Sequence, residues 1–487
     1  MLVSIYTSRV VLDALGVEDF GIYNVVGGFV MMFSLLSSTL TASTQRFISY
    51  EMGKDNPLLS KVFSAALSIH LILAVVILLL FETFGLWFLN SKMNIASERM
   101  DAANWVFQCS ALAFCVQLIS IPYNALIISH ERMDIFAYIS IYEVCAKLGI
   151  AYLLTLSNYD KLVVYAILMF GVALSLRLIY GLYCQKHFPE SIFRFLYEKA
   201  LYVKMLSFSS WNFIGSTAGI LNTQGINVLI NFFFGVTLNA ARGIAVQVDT
   251  AINGFVLNFM TALNPQITKS FAAGNYSHMV GLMCKGGKYA AYLFWLISLP
   301  IFLETEYILD IWLKKVPDYA PIFVRYVLIF SLCQTLSQTL YIGMLATGKI
   351  KKYQMVVGTL SLMAFPTTYV FYRMGYPAEW GYIATIFFSI VCLVARLFML
   401  QEIIPTFSWR IYTFKTILRV LSVVIVTFAI MYLLHEKVVL VNKLANCCVM
   451  LTFSLFLTSL AIYILGLEKT ERAYTLGLIR KKITRII

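Results

Sequence analysis

The sequence predicts an all-α integral membrane protein of about 14 transmembrane helices, arranged as two pseudo-symmetric six-helix bundles followed by two C-terminal helices. Three observations predict it. Of 487 residues, 60% are apolar, 15% aromatic and only 13% charged, roughly half the charged share of an average soluble domain. Apolar stretches of about 20 residues recur from end to end, each long enough to cross roughly 30 Å of hydrocarbon. Finally, a shift of 219 residues lays Gly16 and Val17 on Gly235 and Val236, and Arg177 and Leu178 on Arg396 and Leu397. That shift equals six spans, an even number, so the two halves share one orientation about an axis along the membrane normal.

A hydropathy window of about 19 residues places the first six spans at 1–12, 21–48, 62–89, 104–128, 134–156 and 161–184. The second six fall at 204–232, 238–262, 288–305, 322–346, 353–372 and 380–401, and two more at 412–434 and 444–466. The organisation is then an N-terminal bundle over 1–184, a C-terminal bundle over 203–403, an added helix pair over 412–466 and a basic tail over 467–487. The first span is too short to cross alone, which points to a misassigned start or a clipped chain; no cleavage site of a signal peptide follows it.

Lys and Arg set the orientation, because they are retained on the cytoplasmic side. The segment Lys186 to Lys204, the run Lys349, Lys351, Lys352 and the tail residues Arg480, Lys481, Lys482 and Arg485 fall on one side, which puts both termini in the cytoplasm. The net charge of +13 is therefore topology plus attraction to anionic lipid heads. Nucleic acid is not an expected partner, since no basic soluble domain exists to hold it. Nine cysteines without a CxxC pair and five histidines without ligand spacing support neither a metal site nor a disulfide framework.

Polar residues inside spans point to a cavity. In the seventh span Asn212, Ser216, Gly219, Thr223, Asn227 and Asn231 follow one another every three or four residues, one stripe down the helix that lipid would not tolerate. The second span repeats this more weakly with Asn24, Ser38 and Gln45, and the eighth with Arg242, Asp249 and Asn253. Helix–helix packing through small and polar residues is the competing explanation. Ionisable groups at depth are costly, by roughly 2.5–3.5 kcal/mol each, and hence functional candidates. Glu143 and Lys147 stand one turn apart on the fifth span, where they can form a structural ion pair or a substrate or proton site. Arg177 and Arg396 occupy matching positions near the inner ends of spans six and twelve, where snorkelling is the alternative. Arg242 and Asp249, two turns apart on the striped eighth span, are the stronger cavity candidates.

Two soluble-protein signals are discounted. GMLATGK at 343–349 matches the start of a phosphate-binding loop, but Ile350 stands where Ser or Thr must reach magnesium. The NYS triplet at Asn275 is a sequon by pattern only, on the inner side. The outer loops are too short to house an enzyme's catalytic residues.

The segments YTSRVVLDALGVEDFGIYNVVGG, STQRFISYEMGK, ISHERMDIFAY around Arg132 and LATGKIKKYQ around Gly348 resemble the polysaccharide-transporter family. These are the O-antigen-type repeat-unit flippases, in the superfamily that also holds multidrug-extrusion antiporters and the lipid II flippase. The similarity extends over essentially the whole chain and departs at the front, where members carry a complete first helix before the TSRVVL segment. The resemblance implies movement of an undecaprenyl-diphosphate-linked oligosaccharide, an O-antigen or capsule repeat unit, from the inner to the outer leaflet of a bacterial cytoplasmic membrane by alternating access. Arg242, Arg177, Arg396 and Lys147 would supply the cations a diphosphate needs. Asn24, Ser38, Gln45, Asn212, Ser216, Thr223, Asn227 and Asn253 would line the cavity, and Asp249 and Glu143 would couple transport to H+ or Na+. No cofactor is expected; partners would be the lipid-linked oligosaccharide, membrane lipids, and the polymerase and glycosyltransferases of the pathway. Two other classes stay open: a cation-coupled multidrug antiporter, which would want a more acidic cavity, and a polytopic glycan polymerase or ligase, which would want a large outer loop.

Overall fold

The computed structural model describes residues 2–31, 33–55, 57–93, 95–156, 158–194, 198–313, 316–437 and 443–473. The basic run from Arg480 to Arg485 lies outside them. The described residues are helical with no strand, as an unbroken backbone in hydrocarbon requires. The helices of the first half are α1 (Leu2–Met31), α2 (Ser34–Met52), α3 (Leu59–Leu80), α4 (Leu86–Lys92), α5 (Met100–Ser129), α6 (Met133–Leu156) and α7 (Lys161–His187). There follow α8 (Lys199–Phe234), α9 (Val236–Ala272), α10 (Tyr276–Leu303), α11 (Thr305–Trp312), α12 (Ala320–Thr347), α13 (Ile350–Leu362), α14 (Ala364–Arg373) and α15 (Trp380–Ile403). The last are α16 (Trp409–Tyr412), α17 (Leu418–Lys437) and α18 (Lys443–Ala461). Among the described residues ten helices are long and apolar enough to cross a membrane, eleven if the pair Glu18–Val30 and Ser34–Met52, bent by 48°, is one span. The difference from about 14 lies in α8 and α9, which carry the polar stripes, and in the short stretch before Gly16.

Three helix ends have a local cause in the sequence. Asp160 caps α7 by accepting from the backbone N–H of Leu162 at 3.0 Å, and Asn275 caps α10 by accepting from His278 N at 3.2 Å, so the sequon asparagine serves as a helix cap. Gly348 ends α12 in the left-handed conformation, which accounts for the second glycine of the GMLATGK segment without any phosphate.

The chain divides into two compact units, one of Met1–Thr217 with Phe271–Ala273, the other of Ala218–Ser270 with Gly274–Ile487. In the first, α5 packs most extensively on α7, and α2 and α3 flank it. Phe29, Phe33, Phe81, Phe107 and Phe114 meet at centroid separations of 4.9 to 6.4 Å, Phe33 edge-on to Phe81. At one rim Arg99 holds Asp19 at 2.5 Å and Asp160 at 2.6 Å, joining the α1, α5 and α7 ends. Burial pushes the Asp160 carboxyl up, but the Arg99 guanidinium brings it below the usual carboxylate range. In the second unit α12 packs on α15 and α10, and α17 and α18 pack on α10. Ile226, Leu229 and Ile230 of α8 are buried with Ala364 and Tyr372 of α14.

Most helix starts recur between the two halves. A shift of 219 carries Leu59 to 278, Leu86 to 305, Met100 to 319, Met133 to 352 and Lys161 to 380, while α10, α11, α12, α13 and α15 begin at Tyr276, Thr305, Ala320, Ile350 and Trp380. It also carries Gly16, with φ of 82°, onto Gly235, with φ of 81°. Both glycines interrupt long helices in a conformation that costs other residues roughly 1–2 kcal/mol. A Cβ on Gly235 or on the helical Gly243 meets nothing within 4 Å, so space does not distinguish them. Gly235→Ala should lower stability by about 1–2 kcal/mol, whereas Gly243→Ala should be neutral or stabilising by up to roughly 1 kcal/mol; unfolding in detergent micelles measures both, and equal effects would remove the backbone argument.

Candidate functional site

Four helices of the second unit bring polar groups together. On α9, Arg242 is buried at 7% exposure, about two turns past the Gly235 break. Its Nη2 donates to the Thr223 carbonyl oxygen of α8 at 3.1 Å, and its guanidinium lies 5.4 Å from the centre of the Tyr382 ring of α15. Among the described residues no carboxylate lies at ion-pairing distance from it. Two turns further along α9, half-buried Asp249 accepts from Asn253 Nδ2 at 2.8 Å and from the Ser331 hydroxyl of α12, while Asn253 Nδ2 also donates to Ser331 Oγ at 3.3 Å. Arg242 and Asp249 therefore have separate partners and do not neutralise each other. The charge of Arg242 is stabilised by a carbonyl dipole and an aromatic face, which leaves donor capacity for an anion.

Arg177 and Arg396 are placed alike. Arg177 on α7 stacks over the Tyr123 ring of α5 at 4.0 Å, and Arg396 on α15 donates through Nε to Tyr353 Oη of α13 at 2.9 Å. Each is half-buried, set against a tyrosine and without a carboxylate partner among the described residues. Lys147 differs, because its Nζ contacts Glu143 Oε1 at 2.5 Å within α6; both charges are taken up inside one helix turn.

The stripe on α8 runs from burial into exposure. Asn212 is 1% exposed, Ser216 and Asn227 are half-buried, and Thr223 and Asn231 are exposed. Thr223 Oγ1 donates to the Gly219 carbonyl at 3.0 Å. In the first unit Asn24 and Ser38 are exposed and bond their own helices, to Phe20 O at 2.7 Å and Leu35 O at 2.9 Å. Gln45 has its Nε2 buried without a hydrogen-bond partner among the described residues, a donor open to a ligand oxygen or water.

Sequence reasoning missed Ser331, Tyr382, Tyr123 and Tyr353. A signal existed for the first, because Ser331, Thr335 and Thr339 recur every fourth residue along α12, and all three are buried. The tyrosines carried none, since nothing in the order of residues tells which rings an arginine will meet.

A family model described as polysaccharide biosynthesis protein matches residues 1–271. No curated protein matches the chain. Among solved structures, a MATE in the straight conformation shares the fold with a TM-score of 0.72 at 12% identity, covering 83% of this chain and 92% of that one. An outward-facing multidrug resistance MATE family transporter of the MOP superfamily gives 0.70 at 13% identity, with 83% and 92% covered. A MOP superfamily transporter from Pyrococcus furiosus, described by the reverse polarity of its binding pocket, gives 0.68 at 12%, again with 83% and 92% covered. At such identities the likeness is one of fold.

Proposed function

The chain belongs to the polysaccharide biosynthesis protein family, a group of multi-pass membrane proteins with the fold of the MOP transporters, and on that premise we propose that it is a flippase. Its substrate in this reading is an undecaprenyl-diphosphate-linked oligosaccharide, moved from the inner to the outer leaflet of a bacterial cytoplasmic membrane by alternating access. The observation that carries the reading is the buried Arg242 guanidinium, free of any described carboxylate and held by a carbonyl and a ring. A diphosphate passing through a low-dielectric region needs such a cation, because an unpaired charge there costs many kcal/mol. Arg177 and Arg396 offer the same chemistry against Tyr123 and Tyr353, whereas Lys147 would have to leave Glu143 first. Asp249, bonded to Ser331 and Asn253, is the acid best placed to bind and release a proton or Na+ as the site changes exposure, with Glu143 the second.

Proteoliposomes holding the purified chain and a fluorescent prenyl-diphosphate oligosaccharide test this. Label on one leaflet should become accessible to a membrane-impermeant quencher faster than in empty vesicles. Extrusion of a cationic dye without movement of the diphosphate lipid would favour an antiporter, and lengthening of the glycan would favour a polymerase. In the same vesicles Asp249→Asn should remove the dependence of the rate on an imposed ion gradient while leaving downhill movement of the lipid; a gradient response equal to wild type would exclude Asp249 as the coupling acid.

A further inference from the structure

A second basic feature of the unit formed by Ala218–Ser270 and Gly274–Ile487 stands apart from the Arg242 site. A cavity of about 230 Å³ opens where the start of α10, the turn between α16 and α17 and the segment after α18 come together, lined by Lys285, Lys288, Lys415, Glu468, Glu471 and Ile411 among others. It is a built site. A Cβ on Gly287 would stand 2.5 Å from the Tyr412 hydroxyl, and one on Gly466 2.5 Å from the Tyr292 hydroxyl, so glycines let α16 and the end of α18 close on α10. Lys415 stands on the π-helical turn Thr413–Ile417, a widening of the helix that recurs at functional positions.

The charges inside do not balance. Glu471 is consumed by the buried Lys288, with Nζ at 2.6 and 2.8 Å from its two oxygens, and by the Glu468 backbone N–H at 2.8 Å. Glu468 faces Arg419 at 3.6 Å. Lys285 and Lys415 remain, both exposed and without a carboxylate at ion-pairing distance among the described residues. Beside Lys415 the same helix face presents Ile411, Phe414 and Leu418 at 42%, 66% and 44% exposure, spaced by three and four residues. Two unneutralised ammonium groups thus border a continuous apolar strip at the ends of three spans.

We propose that this cavity binds the phosphate of an anionic lipid, with Lys285 and Lys415 holding the head group and the Ile411, Phe414, Leu418 strip receiving an acyl chain. A free phosphate would use the two lysines alone and leave the strip idle, which is why the lipid is the favoured source. Basic pockets between spans on the cytoplasmic side are where such head groups lodge, and the Lys/Arg bias of the loops assigns this end to that side. The proposal is independent of the transported substrate.

Native mass spectrometry of the full chain in detergent, with added dioleoylphosphatidate, dioleoylphosphatidylcholine or inorganic phosphate, tests it. Phosphatidate should be retained over phosphatidylcholine, and Lys285→Gln with Lys415→Gln should weaken that retention about 25-fold, at roughly fivefold for each lysine. The paired Arg replacements should keep it, as should Lys351→Gln with Lys352→Gln elsewhere on the surface. Wild-type retention by the Gln pair, or loss by the Arg pair as complete as by the Gln pair, would overturn the proposal. Displacement of the lipid by an equal concentration of inorganic phosphate would overturn the lipid as its source.

Discussion

Arg242→Gln should reduce movement of the diphosphate lipid by about 10- to 100-fold, the loss of one charge-assisted hydrogen bond worth roughly 1.5–3 kcal/mol, with insertion and yield unchanged. Glutamine keeps a polar amide but ends two bonds short of Nη2, so the 3.1 Å contact to the Thr223 carbonyl goes together with the charge. Lys should rescue only in part, since a point charge lacks the planar fork and stacks less well on the Tyr382 ring. Transport rates in proteoliposomes matched for protein content measure this. Full activity of Arg242→Gln combined with Arg177→Gln and Arg396→Gln would defeat the cationic mechanism.

Breaking the Lys288–Glu471 pair should cost about 3–5 kcal/mol of stability, because either single truncation leaves a buried group uncompensated. Lys288 is 2% exposed, and the pair joins α10 to the segment after α18 across 183 residues of sequence. Glu471→Gln and Lys288→Met should each lower the unfolding midpoint in micelles, while Lys288→Met with Glu471→Leu should recover much of it, a coupling that a double-mutant cycle reads directly. The pH dependence has a definite sign. Burial pushes the Glu471 carboxyl up, yet the Glu468 backbone N–H and the Lys288 ammonium hold it below the usual range. Its contribution is therefore complete above the unfolded value of about 4.3 and is lost as pH falls through the lower folded value. The gap between wild type and Glu471→Gln should close on acidification in that window. A gap unchanged down to pH 3, or additive single effects, would mean the pair contributes nothing as a pair.

How much of this was legible in sequence depends on the kind of interaction. Hydropathy fixes which stretches lie in lipid, and the Gly16–Gly235 identity turned out to mark a shared backbone conformation, because a left-handed φ selects glycine at both places. The division of one predicted span into α13 and α14, and the short helices α4 and α11 after longer ones, leave hydropathy almost unchanged and so were invisible. At the site, Arg242 and Asp249 stand out because charges are rare in spans and a two-turn spacing puts both on the striped face of one helix. Each in fact has partners on other helices, Thr223 and Tyr382 for one and Ser331 for the other. Glu143 and Lys147, whose partners are four residues apart, were readable for the opposite reason. Long-range pairings such as Lys288 with Glu471 have no local signature at all.

The boundary between the compact units cuts a continuous helix, at Thr217 and Ala218 within α8, and the first unit takes back Phe271–Ala273, where Phe271 meets the Tyr50 ring at 6.3 Å. On a ribosome this means that the amino-terminal unit cannot finish assembling when its last long segment emerges. Synthesis must run on through nearly all of α9 before Phe271 is available, so Tyr50 waits for a residue made more than two hundred positions later. A gene split at residue 217 would therefore deliver a first fragment lacking that contact, and a split after Ala273 would deliver one that contains it.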